Sequence, residues 1–359
     1  MPVQRAEARV DLAAIRHNCE RLAGELRGGA ALCAVVKADG YGHGAVPVAR
    51  AALDGGAAWL AVASANEAAQ LREAGIEARV LVMGALTREE LDVALAAGAD
   101  VVAWREAWLR EVLGDRPARV HVKLDTGMGR LGTRDPAEAD AVTAAAGERL
   151  TGLMTHFATA DEPGDAFFTE QLERFRAWAL PHKRRRGDLV LHAANSAATL
   201  REAAAHFDMV RCGIAVYGMD PFHEDPASRG LRPALELRSY VADVKPCAPG
   251  ESAGYGRRFI AERPTRIATV PIGYGDGVRR GLTNAAEVVI GGRRYPLAGT
   301  VSMDNITVDV GPDGAVRPGD GAVLIGEGIL AEDLARTLQT INYEITCGIT
   351  ARVPRSYVS

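Results

Sequence analysis

Residues 34–44 read AVVKADGYGHG: an apolar run ends on a cation and passes into a turn holding three glycines, a tyrosine and a histidine. The next residues, AVPVARAALDGG (45–56), carry apolar positions at helical period and close on glycine, as a helix C-terminus does. The local reading is strand, glycine-rich turn, helix. Working outward, short apolar, β-branched runs recur as ALCAVV (31–36), WLAVA (59–63), RVLVM (79–83), DVVAW (100–104), RVHVKL (119–124), LTGLMT (150–155), LVLHA (189–193) and FDMV (207–210). Between them lie the helix patterns ANEAAQLREAG, TREELDVALAAG, DPAEADAVTAAAG and FFTEQLERFRAWAL. Eight alternating units predict a (β/α)8 TIM barrel over residues 10–230; an open doubly wound sheet would show the same alternation.

The ends of the runs separate the two. Polar or glycine-bearing groups follow them: Lys37, Ser64 with Asn66, Lys123 with Asp125, His156, His192 with Asn195 and Ser196, and Arg211 with Gly213. In a barrel these ends share one rim, where active sites of that architecture are built. A lone lysine at a strand end would ordinarily snorkel to solvent; in this company Lys37 is expected to face a pocket. After residue 231 the texture changes to turns such as APGESAGYG and VGPDGAVRPGDGAVLIG between the short strands LRSYVADV, RIATVPI and ITVDV, with one helix at AEDLARTL. A mainly β C-terminal domain over 231–359 is expected. Residues 1–9 could add a strand to it, ahead of a helix capped by Asp11.

Composition removes several function classes. Lys+Arg 42 against Asp+Glu 46 leaves a formal net charge of -4, so no sequence-wide attraction for nucleic acid exists. The one basic run, His182 to Arg186, reads as a solvated helix C-terminus. Five cysteines, odd in number and nowhere spaced CxxC, suit packing in a reducing compartment and give no metal pattern. No window approaches the roughly 18 apolar residues of a membrane helix. A cytoplasmic setting is expected.

A partly desolvated lysine beside a glycine-rich turn is the kind of amine that forms a Schiff base with an aldehyde, and pyridoxal phosphate (PLP) is the aldehyde cofactor that fits. Its phosphate would need the backbone and hydroxyl donors of HAANSAA and RCGIAVYG, making Asn195, Ser196, Gly213 and Ile214 candidates, with Tyr41 adding a hydroxyl or serving only as a rim aromatic.

Nine stretches in order, AVVKADGYGHG, KLDTGMGRLG, THFATAD, HAANSAA, VRCGIAVYG, AGYGRRF, PIGYGDG, GTVSMDN and NYEITCGITARVPRSY, resemble those of the alanine racemase family and run from Lys37 to Tyr357. The resemblance implies a fold type III PLP enzyme working as a head-to-tail homodimer. It implies that Lys37 carries the cofactor and is one of two bases, the other being Tyr255, which acts on the opposite face of the substrate imine from the partner subunit. His156 and Arg211 would support Tyr255, and Arg211 would face the pyridine nitrogen where most PLP enzymes set a carboxylate. Arg130 would meet the substrate carboxylate, with Lys123 beside it either carbamylated or paired with Asp125. Met303 and Asp304 would bind substrate from the second subunit, and Tyr274 and Tyr343 would narrow the entrance to admit alanine, or serine. The product would be D-alanine, a peptidoglycan precursor. Cys212, Ser302 and Gly40 stand where the family usually has proline, cysteine and alanine. The rivals are a PLP decarboxylase, whose second domain should supply a cysteine donor, and a non-catalytic PLP carrier, which would not need the β region.

Overall fold

A computed structural model describes residues 4–359. Eight parallel strands close into a barrel: β2 (Ala31–Val35), β3 (Trp59–Val62), β4 (Arg79–Val82), β5 (Asp100–Ala103), β6 (Val120–Lys123), β7 (Leu150–Met154), β8 (Val190–His192) and β9 (Met209–Cys212). Closure is made by β9 against β2, with Ala31 opposite Met209 and Cys33 opposite Arg211. The barrel, rather than the open sheet, is the architecture.

Helices between the strands start where the sequence provides acceptors for otherwise unpaired N–H groups. Ser64 with Glu67 and Thr87 with Glu90 form capping boxes, and Asp11 and Asp135 cap by side chain alone. The helix Phe167–Arg185 continues into the basic run, whose cations sit in its last turn.

Before the barrel comes β1 (Ala6–Asp11); after it come β10 (Leu235–Tyr240), β11 (Asp243–Cys247), β12 (Ser252–Ala253), β13 (Phe259–Ile260), β14 (Thr265–Val270), β15 (Glu287–Ile290), β16 (Arg293–Pro296), β17 (Ile306–Asp309), β18 (Gly321–Ile325) and β19 (Arg355–Val358). One six-stranded sheet runs β16-β15-β18-β10-β1-β19, a three-stranded sheet β11-β14-β17, and a ribbon β12-β13. Of the strand expected within residues 1–9, residues 1–3 lie outside the described part; β1 is antiparallel to β10 and parallel to β19.

Two expected strands are drawn differently. The last barrel strand begins two residues after the start of FDMV, because Phe207 has a φ of 48° and cannot pair, and it continues through buried Arg211. LRSYVADV is divided between β10 and β11, which belong to different sheets. Among the described residues no helix is long and apolar enough to cross a membrane, and no group of three metal-binding side chains forms.

Candidate active site

The chain does not continue as an ordinary helix after β2. Ala38, Asp39, Gly40 and Tyr41 have φ of 52, 50, 60 and 52°, one left-handed turn immediately after Lys37. For each residue other than glycine that conformation costs about 1–2 kcal/mol, so something must hold it. Glu67 does so in part: one carboxylate oxygen accepts from Ala38 N at 2.7 Å, the other from Ala63 N at 2.7 Å and Ser64 N at 3.1 Å. Asp39 accepts from Ala45 N at 2.9 Å on the far side. Lys37 is thus fixed where the strand end meets a strained turn.

Its amine enters a cavity of about 370 Å3 at the rim, whose walls include Lys37, Tyr41, Arg130, His156, Asn195, Ser196, Arg211, Gly213, Ile214 and Tyr343. Ten of the expected residues therefore meet. Burial first, and then the charge of Arg130, holds the Lys37 amine below the usual lysine range, although Glu67 opposes this. Lys123 is buried behind the wall; burial, Arg211 and Arg130 bring its amine down to about 8. Asp125 does not pair with it. That carboxylate accepts instead from Gly127 N and Gly129 N, each at 3.0 Å, and from Arg134 Nε at 3.2 Å, shaping the loop that leads to Arg130.

Arg211 is buried on β9 and finds no carboxylate. Nη1 donates to His192 Nδ1 at 2.7 Å, and Nη2 to Thr155 O at 2.8 Å, to Ala193 O at 3.0 Å and, at 3.3 Å, to His156 Nδ1. Burial, then Arg211, Lys123, Arg130 and Lys37, holds the His156 imidazole well below its usual value and therefore neutral. His192, expected on the rim, lies inside the barrel.

Opposite elements meet in another wall of the cavity. Ser196 Oγ accepts from Gly213 N at 3.0 Å and Ala215 N at 3.3 Å, ordering the turn Ile214–Tyr217. A Cβ on Gly213 would lie 2.3 Å from Tyr41 Oη, so only glycine lets that hydroxyl approach. Tyr41 stacks on Tyr217 at 4.8 Å between ring centroids, and Tyr343 covers it at 5.9 Å. The side-chain oxygen of Asn195 is engaged by Ala198 N at 2.9 Å, capping the helix Ser196–Arg201. Met83 and Cys347 also line the cavity and were not expected there. Met83 was hidden as the last letter of an apolar run. Cys347 was signalled by its spacing of four from Tyr343 on one short helix face.

Tyr255, Tyr274, Met303 and Asp304 are not among these walls. They lie on turns of the β region, with Tyr255 74% exposed, Met303 51% and Tyr274 42%. Thr300 Oγ1 donates to Tyr255 O at 2.7 Å, Tyr274 N to Ser302 O at 2.9 Å, and Gly275 N to Met303 O at 2.9 Å, so the three turns form one assembled face. Arg352 donates to Asp304 at 2.7 Å, and buried Asp276 accepts from Arg5 at 2.6 Å. The expected site residues therefore fall into two groups in one chain, one at the cavity and one on this face.

Both halves match known sequence families. Residues 10–221 match the profile of the alanine racemase N-terminal domain, and residues 234–357 that of its C-terminal domain. The chain belongs to the alanine racemase family. An alanine racemase of Thermobifida fusca (strain YX) is 46% identical, aligned over 98% of this chain and 98% of its own. The crystal structure of alanine racemase from D-cycloserine producing Streptomyces lavendulae superposes with a TM-score of 0.93 at 40% identity, covering 100% of this chain and 98% of that one. The alanine racemase of Streptomyces coelicolor A3(2) gives 0.91 at 41%, covering 99% and 98%. Membership of the alanine racemase family answers the decarboxylase rival. The sequence argument against it, that the C-terminal region brings no cysteine to the site, does not hold, since Cys347 is in the wall.

Proposed function

We propose that this chain interconverts L-alanine and D-alanine with PLP held on Lys37, and that the working unit is a homodimer. The observation that carries the reading is the pairing, in one cavity, of a lysine kept below its usual range with a buried arginine whose partners are all neutral. The residues present fit the cofactor. Arg211 Nε has no hydrogen-bond acceptor among the described residues and could donate to a ring nitrogen, and Ser196, Gly213, Ile214 and Tyr41 share one wall of the cavity, where they could hold the phosphate.

Bound PLP would supply an electron sink for the pair left when the α-proton departs. The chain's own residues do the rest. Lys37 Nζ, held below the usual lysine range by burial and Arg130, would take or return a proton on one face. Tyr255 of the partner subunit would do so on the other, because a single base cannot serve both faces of a planar intermediate. His156, neutral and in contact with Arg211, is placed to share a proton with that phenol. Arg211, a donor that does not give up its proton easily even at a value lowered to about 10, would hold a bound ring nitrogen unprotonated, which would limit the sink and disfavour transamination. Arg130 carries no hydrogen bond among the described residues and is free for the substrate carboxylate. Met303 and Asp304 of the partner subunit would complete its binding, and Tyr274 and Tyr343 would bound the side-chain space to a methyl or hydroxymethyl group.

On this reading the barrel unit (10–230) and the β unit (231–359) each supply half of every site. The five free thiols suit a reducing cytoplasm. The test is the visible spectrum of the purified protein, then borohydride reduction and peptide mapping. A yellow protein labelled at Lys37 is expected; a colourless protein, or a label elsewhere, would overturn the assignment.

A further inference from the structure

Interiors of eight-stranded barrels are ordinarily filled by layers of branched apolar side chains. This one contains a column of four ionisable residues, Arg211, His192, His121 and Asp100, all buried. The contacts are 2.7 Å from Arg211 Nη1 to His192 Nδ1, 2.8 Å from His192 Nε2 to His121 Nδ1, and 3.1 Å from His121 Nε2 to Asp100 Oδ2. Packing alone does not call for such a column, and leaving any member half satisfied would be costly.

The two ends dictate every proton between them. Arginine only donates and a carboxylate only accepts. His192 Nδ1 must therefore be bare, so its proton sits on Nε2; His121 Nδ1 must then be bare, so its proton sits on Nε2 and points at Asp100. Any other order sets two N–H groups or two lone pairs against each other at these distances. Burial keeps both rings below the usual histidine range, reinforced by the charge of Arg211 at His192 and opposed by Asp100 at His121.

Asp100 is the first residue of β5, at the end of the barrel away from the cavity. It is clamped there by Arg119 Nε at 2.6 Å and Arg79 Nη2 at 2.5 Å, and the Arg79 guanidinium lies 3.8 Å from the centroid of the Trp59 ring. At the other end Nη1 of Arg211 is tied to His192 and Nη2 to the Thr155 and Ala193 carbonyls, while Nε has no acceptor among the described residues.

We propose that Asp100 and His121 are positioning residues for Arg211: the carboxylate on the far side of the barrel orders and polarises the column, so that Arg211 presents Nε to the cavity in a single pose. This rests on the reading of Arg211 as the partner of the PLP ring nitrogen. A column serving only to fill space would not care about the sign or position of its protons.

Imidazole nitrogen NMR on histidine-labelled, cofactor-free protein reads the column by itself. Both rings should be neutral, protonated on Nε2, and should not titrate through the neutral range. A proton on Nδ1 of either ring, or titration near ~6.5 as for a free histidine, would overturn the proton order. In the holoprotein, Asp100→Asn should move the visible absorption band of bound PLP and weaken PLP binding by about tenfold, the worth of one hydrogen bond to a charged group. Arg119→Gln, which removes a clamp but keeps the column, should leave the band in place. Should Asp100→Asn not fold, His121→Gln breaks the same order without unpairing the two arginines, and its band should move likewise. A folded variant of either kind with wild-type band and affinity would overturn the proposal. An Arg211→Lys protein whose band is unmoved would instead sink the assignment of Arg211 and the function given to the column, while the NMR result would stand.

Discussion

Tyr255 illustrates how little a single side chain says about its role, since at 74% exposure it touches nothing that would make it a base. Its assignment rests on the AGYGRRF motif, and it has a sharp consequence: Tyr255→Phe should slow α-proton removal from one alanine enantiomer far more than from the other. Equal residual exchange of both enantiomers into solvent deuterium would contradict it. Lys123 offers a second test, through pH. Its folded value of about 8 lies below the ordinary lysine value near ~10.5. Between the two the unfolded chain holds a proton that the folded chain lacks, so stability should rise with pH through that window, with the penalty fully present below about 8. In bicarbonate-free, cofactor-free protein the melting temperature should show this rise, and Lys123→Met should remove it; an identical slope in the variant would contradict the burial argument. The same depressed value leaves neutral amine to react with carbon dioxide, and bicarbonate should then stabilise the wild type and not the variant.

The elements carry a different kind of information. Gly213 is needed for the space it leaves, so Gly213→Ala, whose Cβ would meet Tyr41 Oη at 2.3 Å, should lower PLP affinity severalfold while the protein still melts cooperatively. Unchanged affinity would remove Tyr41 from the residues proposed to hold the phosphate. Strand and helix identities were legible because a period of two or of 3.6 survives in the letters, and helix starts at Ser64, Thr87 and Asp135 were written as caps. Where legibility failed, a local term was outweighed by tertiary contacts. Arg211 and His192 look like strand ends by polarity, yet each is buried because the other satisfies it. The left-handed turn at 38–41 was foreshadowed only by its glycines, since the hydrogen bonds that hold it come from Glu67, about thirty residues on. Asp100 and His121 were not legible as a pair, because the letters do not register β5 against β6, where Val102 lies opposite His121.

For the whole molecule, the expected site residues were legible in the sequence, but on the proposed reading the place where they would meet depends on assembly rather than on any element. In one chain, Lys37 lines the cavity while Tyr255, Met303 and Asp304 sit on an exposed face of the β region. Two copies related by a two-fold axis would bring that face to the cavity of the other subunit twice over. The claim is tested most directly by mixing two inactive variants, Lys37→Ala and Tyr255→Phe, under conditions verified to exchange subunits. In a mixed dimer one site collects both lesions and the other neither, so with equal amounts and random exchange about a quarter of wild-type activity should return. If both bases came from one chain every site would keep a lesion, and recovery of nothing above the separate variants would contradict the shared site.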